Sequence, residues 1–159
     1  MSGQTVSQID LPDPEATDAL GRLLADHAAI GDVFLLSGPV GSGKSHLSRA
    51  FIRHRLGRME DVPSPSFTLV QTYEDGAGDI WHADLYRLTH PDECVELGLD
   101  DAFATAICLI EWPDRLGSMA PPDAIQILLS NIGDKRQAHI AFAKRPALAK
   151  ALAEEISNV

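Results

Sequence analysis

The sequence predicts an α/β fold in which a mixed sheet is flanked by helices and includes an antiparallel hairpin. Apolar runs of strand length alternate along the chain with stretches of helical periodicity. A glycine-rich loop joins one such run, Val33–Leu36, to a helix over His46–Leu56 that Gly57 ends. Glu74–Gly78 has the composition of a turn between two further strands. We interpret residues 1–159 as one domain.

The other elements are assigned from periodicity and from residues that favour helix ends. An edge strand is expected over Thr5–Ile9, and a helix over Asp13–His27 is expected to be capped by Asp13. The hairpin strands are expected at Thr68–Tyr73 and Asp79–Asp84. The later predicted elements are a short helix from Pro91 that Gly98 interrupts, a helical turn over Asp100–Ala104, strands at Ala106–Ile110, Ala124–Ser130 and Ala138–Ala143, and a C-terminal helix over Pro146–Ile156.

Composition excludes several classes of protein. With 13 basic and 23 acidic residues the formal net charge is −10, which disfavours broad binding to DNA or RNA but permits docking to a protein that holds RNA.

Cys94 and Cys108 form no C-x-x-C pair, so buried free thiols are expected. No apolar run approaches the roughly 20 residues of a membrane span. The first residues lack the blocks of a signal peptide, so we expect a cytoplasmic protein without a membrane partner.

The segment Gly38–Ser45 fits G-x-x-x-x-G-K-[ST], the phosphate-binding loop of P-loop NTPases. Its glycines allow consecutive main-chain N–H groups to surround a phosphate, and the following helix points its positive end at the same anion. Lys44 would contact the β- and γ-phosphates, and Ser45 would offer a hydroxyl to Mg²⁺. The predicted nucleotide-binding residues of the loop are Gly38, Pro39, Val40, Gly41, Ser42, Gly43, Lys44 and Ser45.

Two acids are candidates for the metal site that a triphosphatase needs opposite this loop. Glu111 ends an apolar strand, and Asp84 ends a hairpin strand beside aromatic residues. In open α/β sheets, ligands bind at the carboxyl ends of the strands. This position favours a role in binding a metal ion or water for at least one of the two acids. A solvated acid at a strand end is the alternative for each. Trp112 adjoins Glu111 and precedes a proline, so it is the aromatic residue most worth testing.

Three other features leave alternatives open or weaken a competing function. Val62–Phe67 contains two prolines and two hydroxyls, and is equally consistent with a surface linker and a nucleotide-sensing switch loop. His82 and His90 match no zinc spacing, so each is expected to be a surface or hydrogen-bonded histidine. Asn131–Asp134 lacks the lysine of a guanine-reading N-K-x-D motif, which disfavours a GTPase.

The ordered motifs resemble the TsaE family, also called YjeE. Beside the phosphate loop, the blocks that carry the resemblance are Ser64–Val70, His82–Leu88, Glu96–Gly98 and Leu109–Pro113. The match as a whole runs in order from about Asp13 to Arg136. The blocks His82–Leu88 and Leu109–Pro113 are far more specific than the phosphate loop. Ser45 and Ser66 stand where threonine is usual, and each keeps a hydroxyl.

The resemblance implies an ATPase of tRNA threonylcarbamoyladenosine biosynthesis that uses ATP and Mg²⁺. It would reset the TsaB–TsaD heterodimer between turnovers and would contact tRNA only indirectly. The catalytic residues carried over from the family are Lys44, Asp84 and Glu111, the last two with Ser45 at the metal. The other residues carried over are Trp112 beside the active site, Ser64, Ser66 and Phe67 in the switch loop, and Thr17 and Arg136 near the base.

Two other functions remain compatible with the residues alone. Many small phosphate-loop proteins are kinases of a metabolite or nucleoside, although this chain has no arginine-rich lid and little room for an acceptor domain. A nucleotide-gated adaptor would bind ATP and a partner without hydrolysis. Hydrolysis by the isolated chain is expected to be slow, because no obvious arginine finger is present.

Overall fold

The computed structural model describes residues 5–39, 41–57, 59–65, 68–76, 78–142, 148 and 150. The strands are β1 (Thr5–Leu11), β2 (Val33–Ser37), β3 (Val70–Glu74), β4 (Asp79–Asp84), β5 (Ala106–Glu111), β6 (Ile125–Ile132) and β7 (Lys135–Phe142). The helices are α1 (Pro14–His27), α2 (Lys44–Leu56), α3 (Asp92–Glu96) and α4 (Leu99–Thr105), with 3₁₀ turns over Pro113–Met119.

The strands form one sheet in the order β1-β7-β6-β2-β5-β4-β3. Its middle is parallel, because β2 lies between β5 and β6 in the same direction as both, and β4 runs parallel to β5. Its margins are antiparallel: β3 pairs with β4 on one side, and β7 pairs with β6 and β1 on the other. The predicted mixed α/β sheet with an antiparallel hairpin is confirmed, and β1 is an edge strand as expected.

Both faces of the central strands are buried, which explains their uninterrupted apolar sequence. On β2, Phe34 and Leu36 belong to an apolar cluster that includes residues of α1 and α2. Val33 and Leu35 belong to a second cluster, which includes residues of α3 and α4. Each large apolar side chain buried in this way contributes about 1.5–3 kcal/mol. The packing therefore fixes the central strands, and with them the positions of their carboxyl ends.

The helix ends follow their predicted signals. Asp13 caps α1, since its Oδ1 accepts the main-chain N–H of Ala16 at 2.9 Å. Gly57 ends α2 at a φ of 70°, and Gly98 separates α3 from α4 at a φ of 84°. No helix within the described part of the chain is both long and apolar enough to cross a membrane.

The two cysteines are buried free thiols, as predicted. Cys94 lies on α3 and Cys108 lies on β5, in the same apolar cluster. Burial raises the pKa of Cys94, and it raises the pKa of Cys108 to about 12, because a thiolate is poorly solvated there. Both groups therefore stay protonated and unreactive at neutral pH.

Some boundaries differ from the prediction. The strand expected from Thr68 begins only at Val70, because Leu69 has a φ of 68° and leaves the extended conformation. The strands joined around Gly133 are longer than expected, since polar residues continue their pairing up to the turn. The 3₁₀ turns after β5 were not predicted. Of the predicted helix over Pro146–Ile156, all but residues 148 and 150 lies outside the described residues.

The connection from β2 to α2 passes close to β6 at one glycine. Gly38 has a φ of 141°, and a Cβ built on it would overlap the carbonyl oxygen of Leu129 and lie 2.8 Å from Ser42 Oγ. Gly41 has a φ of 83°, but no atom of the described residues lies within 4 Å of a Cβ built there. The two positions share a backbone conformation that disfavours side chains, and only the first is also closed by its neighbours.

We expect Gly38→Ala to destabilise the protein more than the matched control Gly41→Ala. Left-handed strain alone costs about 1–2 kcal/mol per residue, whereas overpacking at Gly38 adds roughly 1–3 kcal/mol. Urea unfolding followed by circular dichroism gives the two free energies of unfolding. Equal losses in the two variants would contradict the close approach of Gly38 to β6.

Candidate nucleotide-binding site

The carboxyl ends of three parallel strands meet at one edge of the sheet. Glu111 at the end of β5 is paired in register with Leu36 of β2 and with Asp84 at the end of β4. The glycine-rich loop follows β2, so both predicted acids lie beside it. The structure thus brings Asp84, Glu111 and the loop together, as open α/β sheets do at their ligand sites.

The loop keeps its shape through positive φ angles and a short turn. Gly43 has a φ of 104°, immediately before the first residue of α2. The N–H of Ser42 donates to the carbonyl of Pro39 at 3.1 Å, and the Ser42 side chain is buried below the loop. Val40 lies outside the described residues. The main chain of the loop therefore continues directly into the N-terminus of α2, which is the positive end of the helix dipole.

Lys44 bends back over this loop. Its Nζ donates to the carbonyl of Gly38, lies 3.4 Å from the carbonyl oxygen of Pro39, and lies 3.9 Å from the ring centroid of Trp112. Burial lowers the pKa of Lys44, while the negative charges of Glu111, Asp84 and Asp114 act in the opposite direction. The Lys44 ammonium group can replace its hydrogen bonds to these carbonyls with hydrogen bonds to phosphate oxygens while it stays protonated.

Glu111 connects α2 to the end of β5. Its carboxylate is 2% exposed; Oε1 accepts the hydroxyl of Ser45 at 3.1 Å, and Oε2 lies 2.6 Å from Nε2 of His82. A carboxylate only accepts hydrogen bonds, so His82 Nε2 is the donor. The expectation of a hydrogen-bonded histidine is confirmed for His82, but the sequence analysis gave this residue no place in the site.

Asp84 is also buried, at 6% exposure. Its Oδ1 accepts the main-chain N–H of Tyr86 at 3.1 Å, which fixes the carboxylate where the chain leaves β4. Neither Asp84 nor Glu111 is the solvated acid of the alternative interpretation. Two buried carboxylates and a hydroxyl form a set of hard oxygen donors, which suits Mg²⁺ better than a soft metal.

Trp112 is the N-cap of the 3₁₀ turns and has φ and ψ of 59° and 54°. A left-handed conformation is uncommon for a bulky residue and marks local strain. Its ring packs against Tyr86 at 4.9 Å between centroids, and Arg115 lies over the Tyr86 ring at 6.0 Å. The two packed rings of Trp112 and Tyr86 thus lie between two cations, Lys44 on the Trp112 side and Arg115 on the Tyr86 side.

The phosphate loop, the two acids and Trp112 surround a cavity of about 450 Å³, which is large enough for a small ligand. The lining residues are Pro39, Gly41, Gly43, Lys44, Ser45, His46, Ser64, Asp84, Tyr86, Arg87, Glu111, Trp112 and Arg136. A different cavity of about 530 Å³ lies between α1 and α2, and His46 is the one described residue that lines both. The residues that the sequence analysis missed here are His46, Tyr86 and Arg87; only the His82–Leu88 block could have pointed to the last two.

The remaining predicted residues are distributed unevenly. Arg136 reaches the loop, since its Nη1 lies 2.9 Å from a Cβ built on Gly43. Thr17 is on α1, is 1% exposed, and is absent from the cavity lining; its buried hydroxyl has no hydrogen-bond partner in the described part of the chain. Ser64 lines the cavity, whereas Ser66 and Phe67 lie outside the described residues.

Comparison with known proteins gives a single family. A sequence model described as Threonylcarbamoyl adenosine biosynthesis protein TsaE matches residues 11–139. The chain is 36% identical over 146 residues to the tRNA threonylcarbamoyladenosine biosynthesis protein TsaE of Bacillus subtilis, which covers 91% of this chain and 90% of that protein. It is 34% identical over 137 residues to the protein of the same name from Haemophilus influenzae, with 86% and 85% covered.

A solved structure gives the same result for the fold. The crystal structure of YdiB from Bacillus subtilis matches with a TM-score of 0.75 and 30% identity, covering 99% of this chain and 97% of that one. The resemblance seen in the sequence motifs is therefore confirmed over most of the chain. The chain belongs to the TsaE family and has its P-loop NTPase-like α/β fold.

Proposed function

We propose that this protein is a Mg²⁺-dependent ATPase that acts in tRNA threonylcarbamoyladenosine biosynthesis. The pathway is the one named in its family and relatives. The observation that carries the ATPase part is the 3.1 Å hydrogen bond from Ser45 Oγ to Glu111 Oε1. It places the hydroxyl of a phosphate-loop motif in contact with a buried acid from another strand, and P-loop NTPases hold Mg²⁺ with such a loop hydroxyl and an acid from another segment.

The triphosphate would lie on the loop, with its charge facing Lys44 and the first turn of α2. Main-chain N–H groups and the helix end supply positive potential there, although the protein as a whole has a formal net charge of −10. Arg136 is a second cation that reaches the loop. A base contact by Arg136 or Thr17 is part of the proposal and rests on the family resemblance alone.

Ser45, Asp84 and Glu111 would hold Mg²⁺ together with phosphate oxygens. Their oxygen donors fit this ion, which is usually bound through one or two carboxylates plus substrate phosphates. Among the described residues there is no group of three or more His, Cys, Asp or Glu side chains placed to hold a metal ion, and in this proposal phosphate oxygens complete the ligand set. When bound, the ion would neutralise charge on the reacting phosphate.

Glu111 would also accept a proton from, or orient, the attacking water. One of its oxygens already faces Ser45 Oγ, so the carboxylate lies where the end of the triphosphate would be. Asp84 lies in the same cavity and is the alternative group for this role. We propose slow hydrolysis by the isolated protein and stimulation in a complex, since catalysis of this kind depends on added positive charge.

The proposed partner is the TsaB–TsaD heterodimer, which ATP hydrolysis would reset between rounds of tRNA modification. This identity comes from the family resemblance. The acidic charge favours a protein partner over direct binding to tRNA. Action in the cytoplasm belongs to the same proposal, because the free thiols of Cys94 and Cys108 are typical of a reducing compartment.

Reconstitution tests the function as a whole. Purified protein and ATP are added to the TsaB–TsaD pair, and modified tRNA is counted over several turnovers together with released phosphate. We expect multiple turnovers only when this protein and ATP are both present. Modification that proceeds equally without the protein would contradict the proposal, and transfer of phosphate to a metabolite would favour a kinase.

Two substitutions separate nucleotide binding from hydrolysis. Lys44→Ala should weaken ATP binding by roughly 10-fold or more, because it removes a charge-assisted contact to phosphate. Glu111→Ala should keep ATP binding but lower turnover by about 100-fold, since it removes the group that faces the attacking water. Fluorescent-nucleotide titration and phosphate release measure the two quantities.

The matched controls are Lys135→Ala and Glu74→Ala, which remove exposed residues of the same types. Both controls should behave as the unsubstituted protein in binding and in turnover. Thermal unfolding of each variant shows whether it is folded. Unchanged hydrolysis in a folded Glu111→Ala protein would exclude the role given to this acid.

A further inference from the structure

We infer that His82 is a positioning residue, whose imidazole holds one oxygen of the Glu111 carboxylate so that the other oxygen faces Ser45 and the phosphate loop. The inference rests on the proposed function and adds to it a residue that does not itself line the cavity.

The strand register brings the two side chains together. β4 and β5 are adjacent and parallel, with His82 opposite Leu109 and Asp84 opposite Glu111. Paired residues of parallel strands point to the same face of the sheet, and Leu109 belongs to the cluster that includes residues of α2. His82 therefore lies on the face where α2 begins, one strand away from Glu111 and behind it as seen from Ser45.

The contact between them is short and closed to solvent. His82 Nε2 and Glu111 Oε2 are 2.6 Å apart, and the two side chains are 1% and 2% exposed. A hydrogen bond with an ionised partner in such surroundings is stronger and more directional than one at the surface. It therefore restrains the rotation of the carboxylate, which is otherwise a soft torsion.

The other ring nitrogen indicates what the histidine is for. His82 Nδ1 is buried and has no hydrogen-bond partner in the described part of the chain. A buried polar atom without a partner lowers stability, and an apolar side chain would fill a core position at the end of β4 without that cost. Within the described residues, the imidazole therefore bonds to Glu111 through Nε2 and makes no second hydrogen bond.

Loss of this donor should impair turnover more than binding. The groups proposed to hold ATP are the loop, Lys44 and Arg136, and no described hydrogen bond joins any of them to His82. The carboxylate, by contrast, would lose the restraint on its orientation. Removal of a group that orients an active-site ligand typically costs 10- to 100-fold in activity.

The experiment compares three substitutions in the complex with the partner proteins. His82→Leu should lower kcat for ATP by about 10- to 100-fold and change KM by less than about 3-fold. His82→Gln keeps an N–H near the position of Nε2 and should recover most of kcat. His139→Leu is the matched control, because His139 is a half-buried histidine on β7 that bonds to Gln8, and its kcat should be unchanged.

A second readout does not depend on catalysis. In proton NMR of the nucleotide-free protein, the Nε2-bound proton of His82 should give a downfield signal that exchanges slowly with water. The signal should be absent in Glu111→Ala and in His82→Leu, and it should remain in Ser45→Ala. Its presence in folded Glu111→Ala would overturn the proposed contact.

The outcomes distinguish this inference from the function on which it rests. If the unsubstituted protein does not hydrolyse ATP in the complex, the proposed function fails and the role of His82 fails with it. If it hydrolyses ATP through Glu111 but a folded His82→Leu protein has the same kcat, only the role of His82 is overturned. A loss of thermal stability without a change in kcat would likewise reduce His82 to a structural residue.

Discussion

The hydrogen bond from Ser45 to Glu111 joins the first turn of α2 to the carboxyl end of β5. It forms because β2 and β5 are neighbours, so the loop that leaves one strand passes over the end of the other. Packing on both faces of these strands holds their ends in place. A site made of two chain segments 66 residues apart thus depends on the register of a parallel sheet.

Charge balance inside the site is as important as its geometry. Glu111, Asp84 and Lys44 are each at most 6% exposed, and burial of any one charge alone would be unfavourable. The two carboxylates partly offset the effect of burial on the ammonium group. Lys44 also contacts two carbonyls and the face of Trp112. A phosphate could replace these interactions, because none of them is an ion pair with one fixed carboxylate.

The sequence was sufficient for the features that repeat regularly or occur in a compact motif. Periodicity gave the strands and α1, and the G-x-x-x-x-G-K-S pattern gave the loop. The position of Glu111 at the end of an apolar run correctly placed it at the carboxyl edge of the sheet, beside the loop. His82 was not recognised as part of the site, because its role depends on the pairing of β4 with β5, which no local pattern reveals.

The sequence also could not predict the backbone conformation of Trp112 or the contact of the distant Arg136 with the phosphate loop. Nothing in the residues around Trp112 indicates its left-handed backbone or the 3₁₀ turns that follow it. Arg136 comes to the loop through the pairing of β6 and β7, whereas Thr17, linked to it by resemblance, lies buried on α1 outside the cavity lining. Residues far apart in the chain can be placed only after the order of strands is known.

A crystal structure with Mg²⁺ and a non-hydrolysable ATP analogue is the most direct measurement of the central claim. We expect the triphosphate on the Gly38–Ser45 loop, with Lys44 Nζ turned from the Gly38 carbonyl to the phosphates. Ser45 Oγ should leave Glu111 and lie about 2.1 Å from the ion, as Mg²⁺ ligands do. A nucleotide bound elsewhere, with Ser45 still hydrogen-bonded to Glu111, would contradict the account.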